Sequence, residues 1–418
     1  MRHLHTHCMV LAAMLLGAPL AVWAEPDEAA LNKAGGYPIG NNANGSWYLT
    51  PYRVGSWSAL DKVAGMPVRT VARGGPVMPL PAAQQPAAIK YRYRNLGYTL
   101  DEYLERQRVT GLLIIKNGEI VAERYRYGRT DDARFLSFSM AKSVTSLLVG
   151  IAVSKGVIAS LDDPAEKYAK DLAGSPYGAT TVRQLLRMSS GLTFTERYDG
   201  RDDIARLSRA ATTGKPTAVE VLRSITDRHD PAGQKFVYAS AESEVLGLVL
   251  AGASGRTVAD LTSEWLWQPL GAERDAFWGL THEGQERTSA IFNASLRDWG
   301  RLGWMLGRDG RVGDRQVVPL EYLMDATDPA RQGAAFKPFT ATPYFGYGYQ
   351  FWLFPMRERS FAFQGVHGQA VFVQPSSGIV MVQTAVWEGA SGQQDPAPGQ
   401  ERSAFWRGVL QSLGGSPD

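Results

Sequence analysis

Residues 135–156, FLSFSMAKSVTSLLVGIAVSKG, are apolar on almost every side of a helical projection and end at Gly156. A helix with no polar face has to be covered on all sides, so the rest of the chain must wrap it. A glycine just past its end supplies the left-handed residue that stops it. Only a layered fold with a large core can hold such an element, and 418 residues are enough to build one.

Just before it, TGLLIIKNGEIVAERYRYG sets two apolar runs around Asn117-Gly118, a strong hairpin signal. Beyond it the chain turns helical: TVRQLLRMSSGL, PTAVEVLRSI, AESEVLGLVLAGASG, TVADLTSEWLW and SLRDWGRLGWMLGR show helical spacing bounded by Thr, Ser or Gly. Ser295 reads as an N-cap. The last third returns to strands in YGYQFWLF, SFAFQG, QAVFVQP and IVMVQTAVW, with Pro375-Ser376-Ser377-Gly378 as a turn. A QDPAPG linker leads to a closing helix, ERSAFWRGVLQSL. A hairpin, then helices, then antiparallel strands predict an α+β fold. One antiparallel sheet, flanked by helices, is shared by both chain ends, with an inserted all-α domain. The expected boundaries are 99–170 together with 291–418 for the sheet domain and 171–290 for the helical one. Residues 25–98, rich in Gly, Pro, Asn and Ala, are expected as an extended arm.

Residues 1–24 carry Arg2, then an apolar run, then Ala21-Val22-Trp23-Ala24, which reads as a secretory signal peptide cut after Ala24. A soluble periplasmic or secreted product is expected. Cleavage would remove the single cysteine, Cys8, with His3, His5 and His7, leaving only His229, His282 and His367. Thiol chemistry and disulfides are then excluded, and three scattered histidines do not make a metal site. No metal and no cofactor are expected. A net charge of +3 is too small to advertise nucleic acid or a membrane surface as a partner. Oligomeric state is not legible.

No GxSxG elbow, GxxxxGK[ST] or GxGxxG occurs. What does occur is Ser139-Met140-Ala141-Lys142, the only S-x-x-K spacing in the chain, at the start of the apolar helix. Residues three apart share a helix face, so the lysine amine reaches the serine hydroxyl. Burial disfavours the ammonium and makes the amine a base. Tyr238-Ala239-Ser240 stands at the mouth of the helix AESEVLGLVLAGASG, where a phenol beside a lysine can carry a proton. Phe363-Gln364-Gly365-Val366-His367-Gly368-Gln369 sets two glycines on an apparent strand, a sign of close approach by a ligand or another backbone, or of a bulge.

S-x-x-K, then Y-x-[SN], then a glycine-bearing strand resembles, in that order, the penicillin-recognising serine hydrolases with their β-lactamase/transpeptidase-like fold, including class C β-lactamases and related esterases. In texture the chain is similar to the 6-aminohexanoate-dimer hydrolase group, through FSMAKSVTSLLVG, VYASAESEVLG and GVHGQAVFVQP, over roughly residues 100–390. The resemblance implies Ser139 as nucleophile, Lys142 as its base and Tyr238 as the group handling the leaving-group proton. It implies backbone N–H groups of Ser139 and Val366 as the oxyanion hole. Gly365, Ser240 and His367 are candidate binding residues, His367 because strand alternation sets residues two apart on one side, beside Gly365, when no bulge intervenes. Lactam-directed relatives carry Lys-Thr-Gly on the last strand. The triplet here, Phe363-Gln364-Gly365, keeps the glycine and loses the cation, which favours neutral esters or small amides. A β-lactamase or D-alanyl-D-alanine peptidase, or a non-catalytic binding protein of the same fold, stays open.

Overall fold

The computed structural model describes residues 25–418, so the signal segment expected over 1–24 lies outside the described residues. Asn117 and Gly118 take φ of 50° and 86°, the left-handed pair a tight hairpin needs. They join strands Val109–Lys116 and Glu119–Tyr125. These two strands close one edge of a seven-stranded sheet. Strand Val109–Lys116 pairs with Ile379–Ala385, and Gln369–Gln374, Phe361–Gly365, Trp352–Leu353 and Gly346–Tyr347 follow outward, every pair antiparallel. Both ends of the chain therefore supply this sheet.

The sheet is covered on both faces, and the two-residue period of its strands sorts their side chains between two cores. Leu113, Ile115, Val380 and Val382 face a core that includes the helix Met140–Ser154 and the helix Leu296–Gly307. Leu112, Ile114, Ile379 and Met381 face the opposite way, onto Phe405 and Trp406 of the closing helix Ala397–Ser412. Every residue from Met140 to Ala152 is buried. Each fully buried Leu or Val contributes about 1.5–3 kcal/mol, so packing stabilises this helix. Gly156, at φ 71°, follows its end.

The middle of the chain holds the expected helices, including Val182–Leu186, Ala218–Ser224 and Ser240–Ser254, the first two opened by capping boxes at Thr181 and Thr217. Ser295 caps Leu296–Gly307 by accepting from the Asp298 N–H. Four features differ from expectation. The segment 171–290 is not all helical, because strand Ala276–Gly279 pairs with Val68–Val71 and with Phe292–Ala294. The run YGYQFWLF is broken at Gln350, which sits at φ 64°. There its amide donates to the carbonyls of Leu185 and Leu186 at the end of a helix, a use a continuous strand would not allow. The closing helix begins at Ala397, inside the expected linker. Residues 25–98 are not the extended arm expected: 25–66 fold as single helical turns around Leu31, Trp57 and Leu60, which pack on Phe138 and Ile291, while Val68–Val71 joins a sheet and Lys90–Tyr93 pairs with Leu96–Thr99. The arm thus rests against the turn that leads into the buried helix.

Candidate active site

Ser139 is the residue immediately before the helix Met140–Ser154. Its predecessor Phe138 holds φ 43°, a left-handed backbone that a bulky residue adopts only under compulsion. Ser137 supplies it. Its N–H donates to Phe292 O at 2.9 Å, and its hydroxyl donates to Phe138 O at 2.8 Å while accepting from the Phe292 N–H at 3.1 Å. From the arm, Trp57 packs edge-on against the Phe138 ring at 4.8 Å. The strained turn lifts Ser139 out of the core and into a cleft.

One helical turn on, Lys142 Nζ lies 3.1 Å from Ser139 Oγ and donates to Ser289 O at 2.7 Å. Only 1% of the residue is exposed. Burial pulls the amine down to about 8, against the opposing pull of the Glu196 and Glu244 carboxylates. A large share of Lys142 is therefore neutral near pH 8, as a general base requires. Nζ also lies 5.1 Å from the centre of the Tyr238 ring. Burial first, and the Glu196 charge second, push the Tyr238 hydroxyl well above the ordinary phenol range, with Ser139 pulling the other way. Tyr238 is held as a neutral phenol, a proton donor. Its ring stacks on Trp352 at 5.6 Å.

Gly365 ends its strand against the turn at Ser139. A Cβ there would stand 2.3 Å from Ser137 O and 3.1 Å from Ser139 N, so only glycine fits. Among the described residues, turn and cap hydrogen bonds take up the N–H groups of Met140, Ala141 and Lys142 but not that of Ser139. They likewise take up the His367 N–H, on Ala390 O, but not that of Val366. Ser139 and Val366 line the same cleft, and free donors there are what a developing oxyanion needs.

Ser240, two residues beyond Tyr238, is buried. Its N–H and hydroxyl both donate to the Glu196 carboxylate at 2.8 Å, which also accepts from Tyr198 Oη at 2.6 Å. His367 takes a different place from the one expected. Val366–Gly368 is a helical turn with His367 at φ 59°, so the strand alternation that would have set its ring beside Gly365 is broken. The ring points instead into the arm. Nδ1 donates to Trp387 O at 2.9 Å, and Nε2 accepts from Tyr48 Oη at 2.6 Å. Burial and the nearby Arg53 charge bring its pKa down to about 3, so it is neutral and positions the turn.

Ser139 sits where two chambers meet. The larger, about 810 Å³, is walled by Tyr238, Phe345, Trp352 and Trp387. The smaller, about 310 Å³, is walled by Trp47 and Tyr48 of the arm with Phe138, Ser240 and Ile291. Glu196, Glu244, Tyr48 and Arg402 were not singled out from the sequence. Arg402 left a signal, since it lies three and four residues before the core residues Phe405 and Trp406, on the buried face of its helix. Its guanidinium donates to Gln364 Oε1. The strand triplet thus has no cation of its own, yet one reaches it from the closing helix. Among the described residues no group of three or more His, Cys, Asp or Glu is arranged to hold a metal.

The chain is similar to the 6-aminohexanoate-dimer hydrolase of Paenarthrobacter ureafaciens, 27% identical over 354 residues, which cover 82% of this chain and 87% of that one. A Bacillus anthracis structure provisionally named as a 6-aminohexanoate-dimer hydrolase superposes with a TM-score of 0.77 at 21% identity, covering 88% of this chain and 95% of the other. A class C beta lactamase from Rhodobacter sphaeroides superposes at 0.54 with 16% identity, over 75% and 97% of the two chains. At those identities the two structures speak for the fold alone. The sequence pattern of the Beta-lactamase family, however, matches residues 85–397, from before the hairpin to the start of the closing helix. By that match, and with a serine, a lysine and a tyrosine meeting at one cleft, the chain belongs to the beta-lactamase family of serine hydrolases.

Proposed function

We propose that the protein hydrolyses carboxylic esters or small amides through an acyl-enzyme on Ser139. The observation that carries this reading is the 3.1 Å contact between Lys142 Nζ and Ser139 Oγ, made by a buried amine at the floor of an open cleft. Neutral Lys142 takes the hydroxyl proton as Oγ attacks the substrate carbonyl carbon. The carbonyl oxygen becomes an oxyanion facing the N–H groups of Ser139 and Val366. As the tetrahedral intermediate collapses, Tyr238 donates its proton to the departing oxygen or nitrogen and is reprotonated at the expense of the Lys142 ammonium. Water then enters, loses a proton to the same base and releases the acid from Ser139.

The relative from Paenarthrobacter ureafaciens supports an amide as one substrate type, since its name specifies hydrolysis of a 6-aminohexanoate dimer. Esters need less help from the leaving-group proton and follow by the same steps. We infer that the chain acts outside the cytoplasm, because residues 1–24 have the makeup of an export signal. Intact-mass analysis of periplasmic protein should then show a chain beginning at Glu25. The reaction is tested by exposing the protein to short p-nitrophenyl esters, anilides and nitrocefin and weighing it intact. An added acyl mass that disappears in Ser139→Ala is the expected result. Turnover that survives Ser139→Ala would sink the assignment.

A further inference from the structure

Ser139 opens into two chambers, and the place of Tyr238 tells them apart. Tyr238 walls the larger chamber and is no part of the smaller. A leaving group that takes its proton from Tyr238 therefore departs into the larger chamber. The acyl group, on the other side of the carbonyl carbon, points into the smaller one.

Two segments far apart in sequence enclose that smaller chamber. One wall is the helix Asp203–Thr213, which turns Ile204, Ala205, Ser208 and Thr212 toward it. These positions form one stripe along the helix, about 12 Å long at 1.5 Å per residue. The other wall is the arm, through Trp47 and Tyr48. The Tyr48 ring meets Phe138 edge-on at 6.1 Å and Trp47 at 5.5 Å, so a line of aromatic rings runs from the residue before the nucleophile out to Trp47. A tight loop holds Trp47 in place. The Asn41 N–H donates to Ser46 Oγ at 2.8 Å, and a Cβ on Gly40 would stand 2.4 Å from Trp47 N, so only glycine lets the loop close.

The carboxylates that border the chamber are occupied. Glu196 accepts from Ser240 and Tyr198, and Asp202 accepts from the N–H groups of Arg197, Tyr198 and Ala205. Arg287 donates to Ser208 Oγ at 3.5 Å and lies in the field of the Glu244 carboxylate. What is left for a ligand is chiefly apolar surface. Trp47 and Tyr48 precede the stretch that the Beta-lactamase pattern matches, 85–397, so this wall is no part of that pattern.

We propose that the arm selects the substrate by its acyl group: Trp47 closes the smaller chamber over an apolar acyl chain of intermediate length and sets the longest chain the enzyme accepts. This selection rests on the reading of Ser139 as the acylated nucleophile and Tyr238 as the proton donor. Each methylene buried between the arm and Ile204 adds hydrophobic stabilisation, and a chain held there fixes the carbonyl group before attack. A chamber of about 310 Å³ has room for roughly ten water-sized groups, enough for a hexanoyl group and too few for a dodecanoyl one.

The test is a series of p-nitrophenyl esters from acetate to dodecanoate. Wild-type kcat/KM should climb about fourfold per methylene as far as hexanoate, and dodecanoate should be the poorer substrate. Trp47→Ala should raise the dodecanoate-to-hexanoate ratio at least tenfold. A ratio that stays put, or a wild-type profile flat from acetate to dodecanoate, would overturn the proposal. A second series keeps the acetyl group and varies the alcohol among phenol, 1-naphthol and 4-phenylphenol. Trp47→Ala should leave the ranking of these alcohols as it was; a shift as large as that in the acyl series would put the leaving group under the arm and reject the assignment of the chambers. Should Trp47→Ala not fold, Ala205→Phe narrows the chamber from the helix side and should lower the hexanoate-to-acetate ratio at least tenfold; an unchanged ratio counts against the site. Ser139→Ala separates the two readings. Turnover that survives in it, with the chain-length ratio still moved by Trp47→Ala, would reject only the nucleophile. Turnover abolished in it, with the ratio unmoved by Trp47→Ala, would reject only the role of the arm.

Discussion

Tyr48 Oη donates to Nε2 of His367 at 2.6 Å across 319 residues of sequence. The bond ties the N-terminal arm to the turn that carries the Val366 N–H. Arg53 strengthens the tie by donating to the carbonyls of Trp387 and Glu388. Residues that look like a loose leader thus set the shape of the turn at Val366. Tyr48→Phe removes one hydrogen bond, worth about 1 kcal/mol, and should lower kcat severalfold while leaving the protein folded. Thermal unfolding and ester kinetics on the same preparation check it. An unchanged kcat would mean that the arm only covers the core.

The pH profile follows from the Lys142 amine near 8. In the proposed mechanism the neutral form is the base, so kcat/KM should rise with pH through a limb centred near 8. Glu244 holds that value up while its carboxylate accepts from the Thr288 and Ser289 N–H groups. Glu244→Gln should move the limb to lower pH. A limb that stays in place would show that the carboxylate does not act on Lys142.

Lys142 also bears on stability. Its folded value, about 8, lies below the 10.5 of a free lysine, so between those limits the folded chain binds fewer protons than the unfolded one. Stability gains from this group as pH rises through the window, and the full penalty, on the order of 3 kcal/mol, applies below pH 8. Lys142→Met should abolish turnover yet unfold at a temperature no lower than wild type at pH 7. A clear loss of stability would mean that the bond to Ser289 O outweighs the buried charge.

Tyr238 is held protonated, so its contribution should depend on how badly the leaving group needs a proton. Tyr238→Phe should slow an alkyl amide at least a hundredfold and slow a p-nitrophenyl ester much less. Equal losses on both substrates would argue for a purely structural phenol.

Gly365→Ala would drive a methyl group into Ser137 O, at 2.3 Å. The strand and the nucleophile turn must then part, which should cost at least tenfold in kcat with little change in KM. A crystal structure of the variant with Ser139 unmoved would contradict that explanation.

Several of these features are written in short runs of residues. Asn117-Gly118 dictates the hairpin because both residues tolerate left-handed φ, and the apolar helix is buried because it has no face to give to water. Ser139 and Lys142 share a face because they are three residues apart. Those are local properties of a backbone with fixed periods, and the sequence by itself determined them. The expected all-helical middle failed at Ala276–Gly279, which became a strand because Val68–Val71, two hundred residues earlier, offers it a partner. The expected place of His367 failed because one helical turn reset the strand alternation, and Tyr48 captured the ring. Arg402 could be seen as an arginine among core residues, but its nearness to Gln364 could not. Tertiary structure alone decided which chamber it faces, which carboxylates tune Lys142, and how the arm closes on the turn at Val366. Each depends on groups brought together from distant segments by burial, and no sequence period records such a meeting.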